Sequence, residues 1–157
     1  MNGYTIVKDT REQHGYEFTA YGSCEGYVDK QLETGDYSIL GLEDQICIER
    51  KASTTELAVN LGSDKERFMA EIERMQIFPH KFLILEFSME DMMVFPAKSS
   101  IPVARRKFIK SNGAYLLKSI NEIQTVYGIP VTFCGDKRHA QQMVSSILKR
   151  IYEIYSS

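Results

Sequence analysis

The sequence predicts an α/β fold, a mixed β-sheet flanked by helices, in one domain. Two observations carry this expectation. Short runs of β-branched and aromatic residues alternate with longer segments whose apolar residues recur every three to four positions, the order in which a sheet and its covering helices are laid down. Two of those runs are joined by a tight reversal at Gly41, Leu42, Glu43 and Asp44, so part of the sheet is antiparallel. A chain of 157 residues can bury a core on its own, hiding roughly two-thirds of its unfolded surface. Its 43% hydrophobic and 25% charged content are those of a globular domain.

Taken in order, residues 4–8 read as a first strand, and 15–26 as an irregular, aromatic-rich segment. The hairpin strands lie near 36–41 and 45–51. Thr54 or Thr55 caps a short helix carrying Leu57, Ala58 and Leu61, which Gly62 ends. Asp64 starts a longer helix with Phe68, Ile72 and Met75 on one face, and Pro79 lies beyond its end. Residues 82–87 form a continuous apolar strand suited to a central position covered on both faces. Leu116, Leu117, Ile120, Ile123 and Tyr127 give 113–127 helical spacing, and 129–134 is a strand. A last helix carries Met143, Val144, Ile147, Leu148, Ile151 and Ile154, apolar enough to be buried or to offer a dimer face. The methionine-rich stretch 89–110 fits neither period. It is an excursion of the length that often has a function, or an elaboration whose methionines fill gaps.

Several function classes drop out. Cys24, Cys47 and Cys134 are odd in number and lack CxxC spacing, which argues against a disulfide framework or a zinc site. His14, His80 and His139 show no metal-ligand spacing. No apolar run approaches the ~18 residues of a membrane span, so no membrane partner is expected. The start at Met1, Asn2, Gly3 and Tyr4 lacks the basic and apolar regions of a signal peptide. The expected location is the cytoplasm: the nucleus in a eukaryote, the host cytoplasm for a phage protein.

Chemistry concentrates between Gly35 and Lys51. Side chains alternate along a strand, so Glu49 and Lys51 share one face while Ile48 and Arg50 share the other. One face thereby offers a carboxylate for a divalent metal and an ammonium for a phosphate or a water. The hairpin brings Asp36 near Glu49. Standing alone, such an acid-x-Lys pattern also describes a solvated strand edge.

The context is what gives it meaning. Asp9-Thr10-Arg11-Glu12, then Gly35-Asp36-Tyr37, then Glu49-Arg50-Lys51, followed by Arg67 and Arg74 on a helix, resembles the nuclease domain of the XPF-type structure-specific endonucleases. The resemblance covers most of the chain. It implies a restriction-endonuclease-like core and metal-dependent cleavage of branched DNA (flap, fork or junction) in repair, recombination or replication. It implies Asp36 and Glu49 as ligands to Mg2+ or Mn2+, with Lys51 contacting the phosphate or the attacking water. Asp9, Arg50 and Arg67 are implied as supporting active-site residues, and DNA as the partner, with a homodimer or a larger nuclease partner as further candidates. Strand alternation turns Arg50 away from the metal, toward an ion pair with Glu12 or Asp9. Two departures stand out. The family's pattern has an aspartate four residues after the lysine, where this chain has Thr55 beside Glu56, a residue able to serve as a helix cap. Many members append helix-hairpin-helix repeats or a helicase, and neither is expected here.

The net charge of −2 places any DNA affinity in local clusters. Arg105, Arg106 and Lys107 with Lys110, together with Arg74, are the candidate DNA contacts, and Lys137, Arg138 and His139 form a second cluster. Either cluster also reads as a solvated loop or helix start. Two other readings stay open: a non-catalytic DNA-binding or dimerisation scaffold, against which Asp36, Glu49 and Lys51 weigh, and a phage-type junction-resolving or restriction-like nuclease.

Overall fold

Alternation of β-branched residues sets up strands with two buried faces, and the chain satisfies both faces with helices. In the computed structural model, which describes residues 3–157, six strands form one mixed sheet among the described residues. They are β1 (Tyr4–Lys8), β2 (Cys24–Asp29), β3 (Tyr37–Ile39), β4 (Ile46–Lys51), β5 (His80–Leu85) and β6 (Val131–Phe133), in the spatial order β2-β1-β3-β4-β5-β6. β3 runs antiparallel to both β1 and β4, whereas β2 is parallel to β1, and β5 is parallel to β4 and β6. Met1 and Asn2, part of the stretch inspected for a leader, lie outside the described residues.

The helices are α1 (Thr54–Leu61), α2 (Lys65–Met75), α3 (Met89–Met93), α4 (Gly113–Thr125) and α5 (Lys137–Ser156). Side-chain alternation along β4 and β5 divides the core in two. Cys47, Leu83 and Leu85 face Leu57, Phe68, Ile72 and Leu116 of α1, α2 and α4. Ile46, Ile48 and Ile84 face Val144, Leu148 and Ile151 of α5. Every residue of β4, the strand that carries the chemistry, is buried.

The mixed sheet flanked by helices agrees with the sequence expectation, and the differences are local. β2 falls where only an irregular segment was expected, because its Gly26 and exposed Glu25, Val28 and Asp29 give an edge strand no clean alternation. The cap of α1 is Ser53, whose Oγ accepts from Glu56 N at 3.1 Å, not Thr54 or Thr55. Thr55 Oγ1 instead meets Ser100 Oγ at 3.0 Å. β6 is shorter than expected, beginning only after Pro130, which has no N–H to give the ladder. The 89–110 excursion is not a bare loop. It contains α3 and a 3₁₀ segment, Val103–Phe108, and it buries Met92 and Phe95 in the core while leaving Met89 and Met93 exposed.

Candidate functional site

Gly35 places the first acid. Its φ of +89° lies in the left-handed region, and a Cβ there would sit 2.6 Å from Cys47 Sγ and 3.2 Å from the Ile48 carbonyl oxygen. Glycine therefore lets the chain pass close over β4 and enter β3. Asp36 N then donates to Ile48 O at 2.8 Å, and Asp36 Oδ2 accepts from Arg50 N at 2.8 Å. Just past the end of β1, Asp9 N donates to Asp36 O at 2.8 Å. Backbone bonds thus fix Asp36 from two strands before its side chain does anything.

On β4, alternation puts Glu49 and Lys51 on the α1–α2 side, both 5% exposed. Lys51 Nζ lies 3.6 Å from Glu49 Oε1 and 3.9 Å from Glu56 Oε1, and sits 4.8 Å from the centre of the Phe68 ring. Glu56 also accepts from Ala52 N at 2.9 Å, so the residue beside Thr55 supplies a carboxylate to Lys51 while bracing the start of α1. Glu49 Oε2 is buried without a hydrogen-bond partner. Asp36 Oδ2 is held on the backbone N–H of Arg50, the residue after Glu49, and Asp36 and Glu71 (on α2) both act on the Glu49 carboxyl. Burial, the Asp36 charge and Glu71 hold the Glu49 carboxyl well above the usual carboxylate range, against the pull of Lys51. Burial and the Glu12 charge raise Asp36 as well, opposed by Glu49, the Arg50 N–H and Lys51. The site thus crowds carboxyls together and leaves one of their oxygens unanswered.

Arg50 belongs to the other face. Its Nε donates to Glu12 Oε2 at 3.0 Å and its Nη1 to Glu86 Oε2 at 2.6 Å, with its guanidinium 5.3 Å from the centre of the Tyr16 ring. Tyr16 Oη donates to the same Glu86 oxygen at 2.6 Å, and Tyr16 N donates to Tyr37 Oη at 2.7 Å. A buried guanidinium is tolerable only when paired and hydrogen-bonded in this way. Arg50 touches the carboxylate site through its backbone N–H alone.

Asp9 is buried but does not join the Asp36–Glu49 pair. It accepts from Arg11 Nε at 2.7 Å and from Leu32 N at 2.8 Å, and Arg11 Nη2 donates to Leu32 O at 2.6 Å. Asp9, Arg11, Asp36, Arg67, Glu71 and Arg74 are among the residues around a cavity of about 230 Å³ that opens beside the carboxyls. Arg67 is exposed and forks onto Asp64 with bonds of 2.9 and 3.0 Å from its Nε. Arg74 is exposed two turns further along the same face of α2. Of the other candidates, Arg106 donates to Ile101 O at 3.0 Å and Ser99 O at 3.3 Å, while Arg105 and Lys107 are exposed. None of these three lines the cavity.

Sequence reading did not single out Arg11, Glu71, Tyr16 or Glu86 as site residues. Glu71 had a usable signal, because it lies four residues after Arg67 and three before Arg74 on one helix. Arg11 stood inside the Asp9-Thr10-Arg11-Glu12 run without a role of its own, and Glu86 had no signal, since a strand-end residue meets Arg50 only through the sheet order.

Among the described residues, no group of three or more His, Cys, Asp or Glu side chains is arranged to hold a metal by itself. The donors present are oxygens, and Glu49 Oε2 lacks a partner. That set fits a hard divalent cation, which completes its shell with backbone carbonyl, water and phosphate oxygens.

The ERCC4 domain family model matches residues 8–147. Among solved structures, XPF from Aeropyrum pernix in complex with DNA is similar with a TM-score of 0.64 and 19% identity, over 96% of this chain and 66% of that one. A further structure of XPF from Aeropyrum pernix gives 0.64 and 18%, over 97% of this chain and 69% of that one. At such identity the likeness shows the fold. The chain spans about two-thirds of the length of those solved chains. No curated protein matches it.

Proposed function

The chain belongs to the ERCC4 domain family, and from that premise we propose that it is a metal-dependent endonuclease hydrolysing phosphodiester bonds in branched DNA. The observation that carries the proposal is the convergence of Asp36 and Glu49 from neighbouring strands. The Lys51 ammonium lies 3.6 Å from Glu49, and one Glu49 oxygen is unpartnered. The likeness to an XPF fold seen in complex with DNA supports DNA as the partner.

Asp36 and Glu49 are the residues that would hold Mg2+ or Mn2+. When bound, the ion supplies Lewis-acid stabilisation of charge on the phosphate and a more acidic water. Lys51, on the same strand face as Glu49, neutralises charge developing on the scissile phosphate or orients the water. Glu56 keeps that ammonium in place from the far side. Arg11, Arg67 and Arg74 line the cavity, and they are the cations that would receive DNA phosphates. Arg50 secures β4 from behind.

The test is cleavage of end-labelled linear duplex, single strand, 3′ flap, fork and four-way junction with magnesium, manganese or EDTA. Asp36→Asn keeps an oxygen for Arg50 N but removes the charge. It should lose at least about a thousandfold in rate, since several kcal/mol of Lewis-acid stabilisation is at stake and each ~1.4 kcal/mol is tenfold. Cleavage that survives EDTA, or an undiminished Asp36→Asn, would overturn the metal assignment.

A further inference from the structure

Charge is unevenly spread along this chain. Between Asp91 and Glu122 there is no acidic residue, while Lys98, Arg105, Arg106, Lys107, Lys110 and Lys118 all fall there, in a chain whose net charge is −2. The same stretch holds two of its most exposed large apolar side chains, Val103 at 75% and Phe108 at 73%. An aromatic ring left this open beside cations suits a π-face that arrives with negative charge, as a nucleobase on its phosphate backbone does.

The support under Phe108 is firm. Arg106 turns inward and ties the segment to the carbonyls of Ile101 and Ser99, and its own carbonyl accepts from Ile109 N at 3.1 Å. Ile101 and Ile109 pack against the core on either side of the 3₁₀ turn. With Arg106 used as the brace, Arg105, Lys107 and Phe108 are left facing solvent, and Lys107 Nζ lies 5.2 Å from the Phe108 ring centre. The segment is also beside the site. Ser100 Oγ meets Thr55 Oγ1 at the start of α1, and Ser111 Oγ lies within 4 Å of where a Cβ on Gly62 would sit, at the end of α1. The residues on either side of the turn therefore meet the two ends of α1, the helix that follows Lys51 and carries Glu56.

We propose that Phe108, flanked by Arg105 and Lys107, is a stacking platform for an unpaired nucleotide of the DNA, next to the cleavage site. The proposal rests on the nuclease reading above and adds to it which feature of the DNA the protein's own surface selects. A linear duplex hides its base faces, whereas a flap or fork presents them.

The chain contains no tryptophan, so Phe108→Trp creates a single reporter, at a position exposed enough to tolerate it. Tyr21→Trp is the control, 88% exposed on the α5 side of the sheet. In EDTA, adding a single strand or a 3′ flap should quench the indole fluorescence of Phe108→Trp by stacking and leave that of Tyr21→Trp unchanged, whereas a blunt duplex should quench neither. Phe108→Ala should weaken flap binding about tenfold, with Phe108→Tyr restoring it. Quenching by blunt duplex equal to that by the flap, or flap binding unmoved in Phe108→Ala, would overturn the platform. The readout needs no cutting. A wild type that cleaves nothing while the Phe108→Trp reporter is quenched would therefore sink the nuclease reading and keep the platform, and the reverse pattern would do the opposite.

Discussion

Arg50 Nη1 donates to Glu86 Oε2 at 2.6 Å, on the side of β4 that faces away from Asp36 and Glu49. Adjacent residues of one strand thus serve two separate networks, the carboxylate site in front and a buried ion-pair cluster with Glu12 and Tyr16 behind. The rear cluster fixes the strand on which the front one stands.

Replacing Arg50 should therefore act first on stability. Arg50→Ala leaves Glu86 and Glu12 without their cation, a loss of about 3–5 kcal/mol for a broken buried pair. Arg50→Lys should recover only part of this, because an ammonium cannot reproduce a fork that reaches two carboxylates at once. The double variant Arg50→Met with Glu86→Gln should be milder than Arg50→Ala. Urea denaturation of the four proteins checks the order, and an Arg50→Ala protein as stable as the parent would remove the rear cluster from the account.

The front cluster should behave in the opposite sense. Asp36 and Glu49 have carboxyl groups raised above their unfolded values by burial and by neighbouring charge. A folded state that binds more protons than the unfolded one loses stability as pH rises from the ordinary carboxylate range through the raised values. In EDTA the protein should be most stable at mildly acidic pH, and Asp36→Asn should flatten that slope and raise Tm near neutrality by a few degrees, about what 1 kcal/mol gives in a chain of this size. Mg2+ should raise the Tm of the parent and not of Asp36→Asn. Thermal melts across pH, with and without the ion, decide it; a parent slope of the opposite sign would contradict the crowding of these carboxyls.

How much of this was legible depends on how far apart the interacting residues lie. The alternation in β4 assigned Glu49 and Lys51 to one face and Arg50 to the other, because a period of two is local. The nearness of Asp36 to Glu49 followed from a short hairpin. Glu86, by contrast, reaches Arg50 only because β5 lies parallel beside β4, through the two helices between them, a pairing no local pattern encodes. β2 was illegible for a different reason, as an edge strand with a glycine in it needs no hydrophobic alternation. The misplaced cap of α1 came from three consecutive hydroxyl residues, Ser53, Thr54 and Thr55, among which only the geometry chooses.

Gly35 offers a separable test of backbone and packing. Gly35→Ala meets both a strained φ and the Cys47 sulfur, and should cost roughly 1–3 kcal/mol or more. Adding Cys47→Ala removes the nearest obstructing atom, so the double variant should regain the packing part and keep the strain. Denaturation midpoints for the single and double variants give the two parts. Full recovery in the double variant would mean that the left-handed backbone costs nothing here.

Asp9 and Arg11 provide the last test, in which stability and DNA binding should separate. Burial pushes the Asp9 carboxyl up, but the Arg11 guanidinium and the Leu32 N–H hold it below the usual carboxylate range. A depressed carboxyl contributes stability above its unfolded pKa and loses it as pH falls through the folded value. Arg11→Ala should then cost about 1 kcal/mol at neutral pH, a figure kept small because the guanidinium is exposed and screened. That deficit should shrink on acidification, where Asp9 is protonated in both proteins. If Arg11 also meets a phosphate at the mouth of the cavity, the slope of log affinity for DNA against log salt should flatten by about one unit. Asp9→Asn should share the loss of stability while keeping that slope, since it leaves the cation in place. Equal slopes in Arg11→Ala and the parent would reduce Arg11 to a structural partner of Asp9.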